Sequence, residues 1–498
     1  MTVPHYDFII IGSGFGGAVA AHRLTESGAK VLLLERGPWR DTRATRNLNV
    51  ADRKPLPEGR HFYTHLARTL SAPFLPRKGL QLNRNGLYEI HYAKDMSIIC
   101  ASGVGGGSHA YSAMNVRPDA PDYWQKVLGK AGAARMENHY RWMFDVMGAK
   151  PPSADDPNFT GNQFAGSAHF VADASVKQPD MGIMRDDSLQ PFQNTSFFGS
   201  PTGAKTTLDT ALIAPAMDKG LEVLALHECL ALHRREDCHD FRLDVFDHGK
   251  NRYRFFTASQ VVLAAGTLNT LKLLYHSRDL GGLQGMPALG SGFGGNGDFP
   301  ALWQRDVGAT DMSLGTPCHG RFALKDYPDC PTLTSYGLNG VDQIPLPGWL
   351  KRRLRKLSFV ISMGADEANG HISWYKGRLR MHYIHYANPI LRRITNAFDE
   401  ITRRSGAPVR YTSEYLLTVH PLGGARCGKS RESSVVNLKG EIHDNPGIYI
   451  VDASALPAAP GAPPSMTIAA WSAHVCDGLT SAVSETPVKD KNVEKLAV

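Results

Sequence analysis

Residues 6–37 read YDFIIIGSGFGGAVAAHRLTESGAKVLLLERG, and this stretch decides the fold. Tyr6 to Ile11 is a short apolar run suited to a buried strand. Gly12 to Gly17 is a glycine turn, Ala18 to Thr25 has helical spacing, Gly28 stops the helix, and Val31 to Leu34 is a second buried strand. Two parallel strands joined by one helix place the chain in the α/β class with a doubly wound sheet. Gly12, Gly14 and Gly17 form G-x-G-x-x-G: the first permits the tight turn, the second lets backbone approach a pyrophosphate, and the third lets helix pack on strand. The helix N-terminus then offers N–H donors and partial positive charge to the anion. Glu35 closes the second strand 23 residues after Gly12, where a carboxylate accepts from both ribose hydroxyls, so the unit binds a dinucleotide and disfavours a 2′-phosphate. NAD and FAD both satisfy this fingerprint.

Outward from that unit, the 498 residues suffice for two or three domains. With 42% apolar and 20% charged residues, the chain is neither disordered nor a small disulfide scaffold. The excess of Lys and Arg (55) over Asp and Glu (47) is scattered, which argues against a nucleic-acid partner. The seven cysteines (100, 229, 238, 318, 330, 427 and 476) lack C-x-x-C spacing; reduced thiols, no metal site and a cytoplasmic location are expected. The N-terminus has no basic leader, and no apolar run reaches the ~18 residues of a membrane span.

Residues 41–92 are irregular, with prolines that rule out one long helix, and read as an excursion from the sheet. Gly103 to Ser108 is a second glycine run. It reads either as a flexible loop or as bare backbone lying against a flat ring, with Ser108 as a donor. Thr207 to Gly220 has helical spacing, Val261 to Gly266 (VVLAAG) is a buried strand, and 281–299 is a glycine-rich loop. Ile448 to Val451 and Met466 to Thr480 read as a closing strand and helix. At 420–424 the sequence HPLGG sets His420 in a segment that cannot be helix interior, as a turn histidine or an active-site group. The basic run Lys351 to Lys356 after Trp349 reads as a solvated helix face in preference to a peripheral contact with the inner membrane. In MHYIHYANP, the residues His382, Tyr383, His385 and Tyr386 read as alternating strand positions, of which some line a substrate pocket.

Together these pieces resemble the glucose-methanol-choline (GMC) flavoprotein oxidoreductases, most closely their bacterial cholesterol-oxidase-like branch. The matching segments are IIIGSGFGGAVAAHRL with LLLERG, GVGGGSHAYSAMNVRP, GAKTTLDTALI, VVLAAGTLNTLKLL, GFGGNGD, HPLGG, NPGIYIVDASALP and PPSMTIAAW, in the family's order. The resemblance implies a Rossmann-type FAD-binding domain (1–41, 93–120, 203–300 and 441–498) and a substrate-binding α+β cap on a second sheet (42–92, 121–202 and 301–440). It implies that Gly12, Gly14, Gly17 and Glu35 hold the ADP half of FAD and that Gly105, Gly106, Gly107 and Ser108 lie near the isoalloxazine. By the same resemblance Cys229 contacts the adenine side, Asp452 and Ala453 approach the pyrophosphate and ribityl chain, and Met466 with Thr467 presents the closing helix to the flavin. His420 matches the active-site histidine.

The chain departs from the family at Pro463, where an Asn or His is usual, and at Tyr111, where an Asn often stands. Residues 348–355 hold no match to the carboxylate with which cholesterol oxidases isomerise a steroid. His109 lies one residue out of register with a histidine that binds FAD covalently in some members, so a non-covalent cofactor is expected. Tyr111, His382, Tyr386 and Pro463 are the expected substrate-side residues. The expected activity is oxidation of an apolar, sterol- or terpenol-like alcohol with His420 as base and with oxygen, a quinone or a carrier protein as electron acceptor. The alternatives are a flavoprotein dehydrogenase of CH–CH bonds and a non-catalytic flavin-binding protein.

Overall fold

A computed structural model describes residues 3–76, 79–151, 170–183, 196–235, 240–308, 310–315, 317–327, 331–412 and 415–484. The opening unit forms as its sequence dictates: strand His5–Ile11, helix Phe15–Glu26, strand Val31–Leu34. The strands pair in parallel with Phe8 opposite Val31 and Ile11 opposite Leu34, and both are buried on both faces, which is why they read as unbroken apolar runs. The strand Arg252–Leu263 organises the rest of this seven-stranded sheet. One edge runs parallel to the first strand along its C-terminal half, from His5 opposite Thr257 to Ile11 opposite Leu263. Its other edge is shared: Arg252 to Ala258 pair antiparallel with Phe241–Asp247, and Val261 to Leu263 pair parallel with Ile448–Ile450. The last 50 residues are thereby returned to the first.

The closing helix, Ser465–Ser484, packs against Phe15–Glu26, and the Ser472 hydroxyl donates to the Gly16 carbonyl at 2.7 Å. Helix Gln125–Val146 covers it, preceded by Trp124 stacked on Trp471 with centroids 6.0 Å apart. Residues 207–220, expected to be helical, contain a wide π turn at Asp209–Ile213 followed by a short α-helix, Ala214–Met217.

Two further sheets frame the site. A six-stranded antiparallel sheet contains Phe299–Trp303, Cys318–Leu324, Leu333–Gly337 and Ser358–Ser362, with Val409–Arg410 and Ala174–Lys177 at its edges. The irregular 41–92 region, read as an excursion from the nucleotide sheet, supplies Ala67–Ser71, Leu80–Gln81 and Tyr88–Tyr92 to a separate five-stranded one. Met96–Ala101 belongs to this sheet and not to the nucleotide sheet; it pairs in parallel with Leu416–Thr418. That pairing brings the run-up to the second glycine turn beside the run-up to His420, although more than 300 residues separate them.

Gly348–Leu354 is a helix with no buried residue and with Trp349 exposed, in keeping with a solvated face. Among the described residues, no helix is long and apolar enough to cross a membrane, no cluster of His, Cys, Asp and Glu could hold a metal ion, and Cys100, Cys229, Cys427 and Cys476 are free thiols. Cys238 and Cys330 lie outside the described residues.

Candidate active site

The first glycine turn is built by exclusion. A Cβ on Gly12, whose φ is +98°, would stand 2.3 Å from the Ala264 oxygen; one on Gly16 would meet the Val451 oxygen at 2.1 Å, and one on Gly17 the Gly12 oxygen at 1.9 Å. Gly14 differs, because a Cβ there meets nothing within 4 Å. Its missing side chain leaves a cradle in front of the helix N-terminus, where a pyrophosphate fits against unpaired backbone N–H groups.

Glu35 is buried, and its carboxylate accepts from the Ser13 N–H at 3.2 Å, the Ser13 hydroxyl at 2.7 Å and the Gly37 N–H at 2.8 Å. Three donors leave acceptor capacity for a ribose hydroxyl. Cys229 lies at a bulge in His227–Arg234, where Cys229 and Ala231 pair with Val245 and Asp244 and Leu230 drops out of register. The His227 N–H, two residues before Cys229, donates to the Glu35 carbonyl, and burial pushes the Cys229 thiol up.

The second turn lies on the first. The Ser13 oxygen, its proton given to Glu35, accepts from the Gly105 N–H at 3.2 Å, and a Cβ on Gly106 would stand 2.6 Å from the Gly14 Cα. Gly107 is exposed with open space at its Cβ position. Ser108, expected to offer a donor to the cofactor, does not: its proton goes to the Gly105 carbonyl at 2.7 Å, and its oxygen accepts from the Leu208 N–H at 3.0 Å. It shapes the turn instead. His109 is fully buried, donating from Nε2 to the Val104 carbonyl at 2.7 Å. Tyr111 packs edge-on against Phe15 and spends its hydroxyl on the Thr206 carbonyl.

Asp452 likewise faces inward. Its four acceptor positions take the Gly266 and Ser454 N–H groups and the Thr270 and Ser454 hydroxyls, so this loop offers a cofactor only backbone, at Ala453 and beyond. Met466 and Thr467 are fully buried in the first turn of the closing helix, and the Thr467 hydroxyl accepts from Tyr140 at 3.2 Å. Beside them the buried Ser465 hydroxyl has no partner. Gly14, Gly107, two helix N-termini and this orphaned hydroxyl together fit a long dinucleotide with a flat ring at one end.

His420 opens the segment that packs on the Asp452 loop. Gly294 and Leu422 exchange backbone hydrogen bonds at 3.0 Å, and the Gly423 N–H donates to the Ala453 carbonyl, so HPLGG is clamped between the 294–298 loop and the Asp452 loop. The ring bonds through Nδ1 to the Asp298 carboxylate at 2.9 Å; Nε2 has no hydrogen-bond partner among the described residues, and the side chain is 19% exposed. Pro463 is buried beside Gly461 and Ala462, which the Asn296 side chain holds at 3.1 Å.

His382 and Tyr386 depart from expectation. Arg378–His382 is the outer strand of a hairpin, followed by a 3₁₀ turn, His385–Ala387; His382 is exposed and Tyr386 is 84% exposed. The residue of this stretch that turns inward is Tyr383, whose hydroxyl donates to Asp366 at 2.7 Å. Strand alternation fails there because the strand ends at His382. Phe74 of the 70–76 stretch LSAPFLP is also exposed. Asp298 and Asn296 carried a readable signal, being the two polar side chains of GFGGNGD, a motif otherwise made of glycine and Phe293.

A glycine cradle of dinucleotide type and a carboxylate-held imidazole, on a segment clamped to the Asp452 loop, fit a dinucleotide-dependent oxidoreductase. Residues 6–283 and 381–472 match the N-terminal and C-terminal patterns described as GMC oxidoreductase, and the chain belongs to the GMC oxidoreductase family. It is therefore an FAD-dependent flavoprotein. The chain is 26% identical to a cholesterol oxidase from Mycobacterium tuberculosis, over 94% of this chain and 90% of that one. It is 24% identical to a cholesterol oxidase from Acinetobacter baumannii, over 94% of each. Among solved structures, pyridoxine 4-oxidase from Mesorbium loti aligns with a TM-score of 0.60 at 16% identity, covering 95% of this chain and 98% of that one. A fungal aryl-alcohol oxidase aligns at 0.59 and 14% identity, covering 96% and 99%.

Proposed function

We propose that this enzyme oxidises the CH–OH group of an apolar alcohol to a carbonyl, with non-covalently bound FAD and with His420 as the base. The observation that carries this reading is the His420 ring, tied through Nδ1 to Asp298 at 2.9 Å with Nε2 left unpartnered. Bound FAD supplies the two-electron hydride acceptor. The protein's part is to take the hydroxyl proton at Nε2 while the backbone of the two glycine turns and the closing helix fixes the ring system. Pro463 has no N–H and no polar side chain, so His420 carries the proton abstraction without a donor from that position. A cleft of about 310 Å³ runs beside the strand that leads to His420, and Phe299, Pro300, Leu416 and Leu417 give it an apolar lining. The names of the relatives, two cholesterol oxidases and an aryl-alcohol oxidase among them, support such a substrate. The burial of His109 and its bond to Val104 support a non-covalent cofactor. The two carboxylates that meet 348–355, Asp311 and Asp342, are both paired with Arg355 at 2.7 Å, which supports oxidation of a steroid without moving its double bond. Electrons leave to oxygen, a quinone or a carrier protein.

An anaerobic stopped-flow screen of sterols, terpenols and aryl alcohols tests this directly, with bleaching of the flavin band as the readout. His420→Ala should keep its FAD and bleach ~10² to 10⁴-fold more slowly. Bleaching at the wild-type rate would remove His420 from the reaction.

A further inference from the structure

The 294–298 loop directs its polar contacts into the site. Gly294 exchanges hydrogen bonds with Leu422, the Gly295 N–H donates to Asp366 at 2.9 Å, and Asn296 holds the backbone next to Pro463. Asp298 ends the loop, 6% exposed, and its carboxylate accepts three bonds: from His420 Nδ1 at 2.9 Å, from the Thr418 hydroxyl at 2.8 Å and from the Val419 N–H at 3.1 Å. An ionised carboxylate only accepts, so the imidazole nitrogen it meets must carry the proton. A neutral imidazole has one N–H. With that proton on Nδ1, Nε2 holds a lone pair.

We propose that Asp298 is the positioning residue of the catalytic histidine: it selects the tautomer with Nε2 unprotonated, fixes the ring plane, and provides the negative charge beside which the ring becomes imidazolium. The proposal rests on the reading of His420 as base. In the step itself the alcohol O–H bond breaks, the Nε2–H bond forms, the Nδ1 proton stays in place, and Asp298 remains ionised throughout.

The titratable groups that face Asp298 from packed elements, among the described residues, are Asp366, Tyr383 and Tyr336. Burial raises all three and so favours their uncharged forms. Tyr383 is bonded to Asp366 and not to Asp298, which leaves the Asp298 carboxylate to the histidine and its own segment.

Asp298→Asn tests this in the FAD-loaded enzyme. The amide oxygen can still accept from Thr418 and Val419, but the amide NH₂ then faces Nδ1 and forces the ring proton onto Nε2. Expected are an unchanged flavin spectrum, an apparent substrate Kd within about threefold of wild type, and flavin reduction slowed ~10² to 10⁴-fold. Should the amide variant fail to hold FAD, Thr418→Val, which removes the hydroxyl that orients the carboxylate, should give a ~10-fold loss in the same sense. Wild-type reduction in Asp298→Asn, where His420→Ala is slow, would overturn the positioning role and leave the base in place. Wild-type reduction in His420→Ala would overturn the base, and the proposal with it.

Discussion

The two glycine turns meet across Ser13, and they use glycine for different reasons. In 12–17 the Cα positions of Gly12, Gly16 and Gly17 are pressed against carbonyl oxygens of neighbouring backbone, and only Gly12 among them has a positive φ. In 103–107 the requirement is mostly dihedral: Gly103, Gly105 and Gly106 have φ of +135°, +95° and +53°. Each turn also contains one glycine, Gly14 or Gly107, that neither packing nor φ demands. The packing glycines make the scaffold, the positive-φ glycines aim it, and the unconstrained pair leaves open space in front of both turns.

The largest effect that could break this comparison belongs to Gly17→Ala. With backbone oxygen 1.9 Å from the new Cβ, helix and strand cannot both keep their places, so little soluble protein and no flavin absorbance at 450 nm are expected. A folded yellow variant would show that the turn is looser than drawn. Gly14→Ala sharpens the contrast, since its φ of −71° suits alanine and its Cβ points into open space. The apo protein should keep its stability within ~0.5 kcal/mol, while FAD binds ~10 to 100-fold more weakly as the methyl fills the pyrophosphate cradle. Equal losses in both quantities would make Gly14 one more packing glycine.

The smallest effect is a pH dependence confined to the second turn. Burial holds the His109 imidazole below its ordinary range, so the folded turn binds that proton less readily than the open one. Stability from this group is therefore complete above the ordinary histidine range and declines as pH falls through it, by at most ~1.4 kcal/mol per pH unit. FAD retention followed from pH 7 to 5 should fall more steeply in the wild type than in His109→Gln. Parallel curves would assign the acid sensitivity elsewhere.

The reading of residues 6–37 was complete because everything it needs is local: strand, turn and helix are each set by residues within a few positions, and the two strands pair at the predicted places. The Ile448–Ile450 strand and the closing helix were equally legible, as apolar runs with clear stops. Where a motif's role depended on which atoms are already spoken for, the sequence was silent. Ser108 and Asp452 belong to recognisable motifs, yet their polar atoms are consumed inside the protein, and only the packed chain shows it.

By itself the sequence determined the α/β unit and, through the order of its motifs, the family, both of which rest on local spacing and backbone freedom. Tertiary structure alone decided which polar groups remain free to act. It brought Asp298 to His420 across 122 residues, turned Tyr383 inward, and left His382 and Tyr386 on the surface. Such pairings depend on sheet register and on the competition of buried hydrogen-bonding groups for partners, and no spacing along one chain encodes either.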